Sequence, residues 1–143
     1  MLRQFVITVL LLSSFIALAP TSVEAQSAYR FKIDVPFPFV LRGQTLPAGT
    51  YVIERTDPAK PNIVTLKKVD GRIVRVVITQ RVEKDEPSTA SSLIFIQRKG
   101  KHYLFQVWTV AAMNGNQIPI APDKKANEQQ RNNGALVTLR GQH

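Results

Sequence analysis

The stretch YRFKIDVPFPFVL, Tyr29 to Leu41, decides the fold. Tyr29, Phe31, Ile33, Val35, Phe37, Phe39 and Leu41 take every odd position, and Arg30, Lys32 and Asp34 stand between the first four. Period two is the mark of a β-strand with one buried face. Pro36 and Pro38 fall on the opposite face. Proline donates no ladder hydrogen bond, so this part is an edge, a bulge or a crossing between sheets.

Downstream, Arg42-Gly43-Gln44 reads as a turn. Leu46-Pro47-Ala48-Gly49 superficially resembles a cell-wall sorting signal, but Gly49 and Thr50 are in the wrong order and no apolar tail follows. Proline at the second place of a turn presets φ, and glycine suits the fourth. LPAGTY is therefore a turn leading into the strand Thr50–Glu54. Thr56–Asn62 is a loop, Ile63–Lys68 a strand, and Asp70-Gly71 signals a hairpin of type I′. The return strand is expected over Arg72–Val82, with Val74, Val76, Ile78 and Val82 on the apolar side, Gln80 breaking the series, and Arg75, Thr79 and Arg81 opposite. Glu83–Ser88 is a polar loop. SLIFIQ, Ser92 to Gln97, and HYLFQVWTV, His102 to Val110, form a second hairpin about Lys99-Gly100. Tyr103, Phe105 and Val107 are its expected core face. Asn114-Gly115-Asn116 reads as a turn. Pro122–Asn132 is read as either a short polar helix or disorder, and Ala135–Arg140 as a last strand. The fold expected is all-β, a single antiparallel sandwich or small barrel of about seven or eight strands.

Upstream, Arg3, the apolar run Phe5–Ala19 and Val23-Glu24-Ala25 have the layout of a secretory signal peptide cut after Ala25. The run is shorter than the roughly 20 residues of a spanning helix. The domain plan is then 1–25 signal peptide, 26–121 β domain, and 122–143 polar C-terminal segment, the last two together 118 of the 143 residues. Arg3 and Glu24 leave together, so the net charge of +9 is kept. With no cysteine, disulfides, thiolate metal sites and cysteine nucleophiles are excluded.

Three segments, VPFPFVLRGQTLPAGTYVI (35–53), SLIFIQRKGKHYLFQVWT (92–109) and GNQIPIAPDKKANEQQ (115–130), together resemble a family of small exported bacterial β proteins of uncharacterised function. Its pattern is PF-x-F, then LPAGxY, then an aromatic strand ending in V/I-W. The chain departs from it at Ile96–Gly100, where a His-Arg-Tyr-Gly turn is expected. The resemblance implies export and a β fold, and brings no catalytic residue with it.

Catalytic patterns are poor. Ser92 and His102 share a predicted hairpin, but no acid completes a triad. No phosphate-binding glycine loop or calcium loop occurs. No cofactor, metal site or catalytic residue is expected. The basic charge is the strongest chemical feature. Arg72, Arg75 and Arg81 are expected on one strand, and Arg98, Lys99 and Lys101 at a hairpin tip. These six are the candidate polyanion-binding residues, with an anionic polysaccharide or other envelope polymer as partner. The plain alternative is solubility and protection of sheet edges. Trp108 is either core or an exposed ring for stacking. The function expected is an exported, non-enzymatic interaction module. A small barrel carrying an apolar ligand is the alternative, and an undetected hydrolase a more remote one.

Overall fold

A computed structural model describes residues 29–120 and 134–142. Among them run eleven β-strands: β1 (Arg30–Val35), β2 (Phe39–Leu41), β3 (Gln44–Leu46), β4 (Gly49–Glu54), β5 (Ile63–Lys68), β6 (Ile73–Ile78), β7 (Gln80–Glu83), β8 (Ser92–Arg98), β9 (Lys101–Trp108), β10 (Asn114–Gln117) and β11 (Ala135–Arg140). They form two sheets. The first is β1-β4-β5-β6, antiparallel throughout. The second is β11-β8-β9-β10-β7, with β2 beside the start of β9 and β3 beside β2. The sheets are open, so the molecule is sandwich-like and the closed-barrel alternative falls. The expected seven or eight strands become eleven because the stretches 29–41 and 72–82 each break into two strands, and β3 and β10 form where turns and their flanks were expected. The possible helix at 122–132 lies outside the described residues.

The alternation read in β1 is observed, with Phe31, Ile33 and Val35 buried and Arg30, Lys32 and Asp34 exposed. A bend at Phe37 carries the chain into the second sheet, where β2 runs parallel to β9. Both prolines are exposed there. Tyr51 and Ile53 of β4, Val64 and Leu66 of β5, and Leu93 and Phe95 of β8 close the core between the sheets. Phe39 sets its ring edge-on to both Tyr51 and Phe95, with centroids 5.4 and 5.5 Å apart.

LPAGTY is a turn entering β4. Gly49 has φ 151°, a backbone region that side chains disfavour. The Tyr51 hydroxyl, on a fully buried ring, donates to the Pro47 carbonyl at 2.6 Å. The tyrosine thus ties the turn to the strand it starts.

Five details differ from expectation. At Asp70-Gly71 only Gly71 takes positive φ, and its N–H bonds back to the Lys68 carbonyl at 2.9 Å. That is an ordinary turn closed by a glycine bulge. The expected double positive φ occurs instead at Arg42-Gly43 and Lys99-Gly100. The register also slips between Leu66 and Lys67, so in β6 Val77 is buried while Ile73, Val76 and Ile78 face solvent. A slip by one residue turns the apolar set outward. The expected strand 72–82 is in fact two. It breaks at Thr79 and passes from the first sheet, as β6, to the second, as β7. In β9 a second slip opposite Ile94/Phe95 leaves Leu104 and Val107 buried and Tyr103 and Phe105 only half-buried. Asn114–Gln117, expected as a turn, is β10.

Strand directions give the sandwich two distinct ends. β1 ends beside the start of β4, and β5 ends there too. β2 follows at once and pairs with the start of β9. The β5–β6 and β8–β9 turns therefore lie at one end, the turn end. Loops 55–62, 84–91 and 109–113 lie at the other, the loop end, where Ser88 and Lys84 bond to the backbone of Ala112 and Met113.

Candidate functional sites at the two ends of the sandwich

At the turn end, Arg98 and Lys101 face each other as a cross-strand pair, and Lys99 stands in the turn between them. Lys99 and Lys101 are exposed and Arg98 is half-buried. Arg72 shares this end but is held by Asp70, whose carboxylate accepts from the Arg72 backbone N–H and from Nε at 2.9 Å. The backbone bond, and the guanidinium beside it, hold the Asp70 carboxyl below its ordinary range. Lys68 lies over the Tyr51 ring, its ammonium 4.3 Å from the centroid. Arg75 is half-buried in β6, on the edge of the first sheet. Lysine and arginine on such an edge discourage pairing with another chain.

Arg81 does not join this group. The break at Thr79 puts it in the other sheet at the loop end, where its Nε donates to Glu83 at 3.2 Å and to Asn114 at 3.1 Å. Arg72, Arg75 and Arg81 are thus not one basic face, contrary to expectation. Trp108 is not an open stacking platform either. It is 2% exposed. The Lys84 ammonium covers one side at 3.9 Å, and Gly115 lies so close that a Cβ there would come within 2.7 Å of the ring. Its Nε1 donates to Gln106 at 3.0 Å. Trp108 is a packing residue outside the main core.

Ser92 pairs with Trp108 across the β8–β9 hairpin, and His102 pairs with Gln97. Five strand residues, about 17 Å, separate the two positions. They do not form a dyad. The His102 ring stacks on Phe37 at 3.8 Å.

The loop end holds a cleft of about 390 Å³ that no sequence motif announced. Tyr29, Arg55, Asn62, Arg81, Asn114 and Asn116 are among the residues that line it. Its floor is a chain of hydrogen bonds. The Tyr29 hydroxyl donates to Asn116 Oδ1, and Asn116 Nδ2 donates to the Pro61 carbonyl at 2.8 Å and to Thr79 Oγ1 at 2.7 Å. Thr79 Oγ1 donates in turn to the Asn62 carbonyl at 2.9 Å. Arg55 lies over the Tyr29 ring, its guanidinium carbon 4.0 Å from the centroid. Burial pushes the Tyr29 phenol up to about 12, against the pull of Arg55. Tyr29 is therefore neutral at physiological pH and does not balance the Arg55 charge. One signal in the sequence marks Arg55: Tyr51 and Ile53 point inward, and Arg55 is next in that period-two series.

No protein-family model matches the chain, and neither a curated protein nor a solved structure is found similar to it.

Proposed function

We propose that the protein is an exported, non-enzymatic interaction module that binds anionic polymer, such as acidic polysaccharide of a cell envelope, through the turn end of its sandwich. The observation that carries this reading is the cluster of cations at the turn end. Lys68, Arg72, Arg98, Lys99 and Lys101 stand at the β5–β6 and β8–β9 turns of that end, with Asp70 on Arg72. On a chain of net charge +9 this gives one end a concentrated positive field, which attracts a polyanion and orients it. Export is supported by the N-terminal pattern of Arg3, an apolar run and Val23-Glu24-Ala25.

Retention on a heparin column, read against salt, tests the proposal. Binding that releases condensed counterions weakens linearly on a log–log plot, and each lost cation contact reduces the slope by about one. Lys99→Glu with Lys101→Glu is expected to lower the slope by about two and leave the far-ultraviolet circular dichroism unchanged. Lys124→Glu with Lys125→Glu is expected to matter less. Equal retention of both double variants and the parent, or no retention at low salt, sinks the proposal.

A further inference from the structure

We propose that the loop-end cleft is a second, independent binding site for a small polyhydroxy anion, a sugar acid or sugar phosphate, gripped through its oxyanion by Arg55 and Arg81. Four observations carry this.

The first is uncompensated charge. Among the described residues no carboxylate pairs with Arg55, and no Asp or Glu lines the cleft. Arg55 Nε is buried without a hydrogen-bond partner. A buried donor left unmade is costly, and more so on a cation. The Tyr29 face offsets part of this by cation–π attraction but supplies no negative charge. An oxyanion in the cleft supplies the missing charge.

The second is the available fork. Guanidinium groups meet carboxylate or phosphate with paired parallel N–H bonds. Arg81 lines the same cleft and is oriented by Asn114. Glu83 also touches Arg81, but its side chain is 70% exposed, so solvent screens it.

The third is size and lining. A volume of about 390 Å³ lies at the low end of small-molecule sites, which run from roughly 300 to 1,000 Å³. Asn62 and Asn114 are among the residues that line it, and amides offer both donors and acceptors to hydroxyl groups.

The fourth is preorganisation. Asn116 and Thr79 are locked into the hydrogen-bonded floor, which fixes Tyr29 and, through its ring, Arg55. Ala111, on the rim, has φ 61°, a conformation rare for a residue with a side chain. Its N–H bonds to the Ser88 carbonyl at 2.7 Å, and that bond secures the wall. Fixed donors are the condition under which a small anion is bound without a large ordering cost.

The test is titration of ¹⁵N-labelled protein, followed by amide chemical shifts, with glucuronate, glucose 1-phosphate and glucose. Saturable shifts at Asn62, Asn114 and Gly115 with either anion, and none with glucose, are expected. The two anions separate a carboxylate site from a phosphate site. Arg81→Gln, at an exposed position, is expected to weaken binding tenfold or more, and Arg55→Gln at least as much. Should Arg55→Gln fold poorly, Arg55→Lys keeps the charge but loses the fork and is expected to bind more weakly than the parent. Lys99→Glu with Lys101→Glu is expected to leave the titration unchanged, which separates this site from the turn end. Equal shifts with glucose, no saturable shift with either anion, or unaltered binding by Arg81→Gln overturns the proposal.

Discussion

Tyr29 shows how one side chain joins two roles. Its ring seats Arg55, and its hydroxyl anchors Asn116, so the phenol is held protonated by its surroundings. The folded-state value of about 12 stands above the ordinary value of 10. A group whose value is raised on folding contributes stability in full below the unfolded value, and loses it as pH climbs through the folded one. The contribution of Tyr29 is thus intact below pH 10 and lost across the window from 10 to 12. Ultraviolet titration of phenolate is expected to show one tyrosine ionising near 12 that is missing from Tyr29→Phe. If the difference between the two curves instead falls near 10, the phenol is not desolvated. Arg55 was hard to find beforehand for a related reason. A charged residue next to Thr-Asp-Pro reads as loop, and only the inward series of β4 shows that the cleft draws it toward the core.

Elements carry their own lesson. Where one face of a strand is apolar and the other charged, as in β1, period two determines which side is buried, because burying Arg30, Lys32 and Asp34 would be far too costly. In β6 the pattern IVRVVI is apolar on both sides, so register depends on a slip at Leu66/Lys67 that the side chains do not advertise. The same holds in β9, where Leu104 exchanges places with Phe105. The basic clusters were legible as sequence, but their grouping depends on which sheet each strand joins, and that is set at Thr79. The LPAGTY turn was legible because its chemistry is local: Pro47, Gly49 and Tyr51 act within five residues. Tyr51→Phe keeps the packing against Phe39 and removes only the hydroxyl that holds the Pro47 carbonyl. A loss of about 0.5–1.5 kcal/mol in unfolding free energy is expected from denaturant titration, with the slope unchanged. A loss well above that range would show that the turn holds more than one bond in place.

At the scale of the molecule, the two sheets share one core, and one unbroken stretch of chain passes from β6 in the first to β7 in the second. Trp108 reports from the second sheet, since Lys84 and Gly115 cover its ring. Its fluorescence and the far-ultraviolet circular dichroism of both sheets are expected to follow a single denaturation curve, as for a two-state domain. Separate midpoints would mean that the sheets unfold as separate units. That passage has a mechanical meaning. Residues 73–83 run in one direction through both sheets, and at Thr79 the N–H and the hydroxyl both bond to the Asn62 carbonyl. A pull on the turn end, where β6 begins, is carried toward the loop end along the covalent backbone rather than through side-chain contacts between the sheets. Tension across the molecule then loads the ladders of β6 and β7 in shear, many hydrogen bonds at once, instead of peeling them one by one.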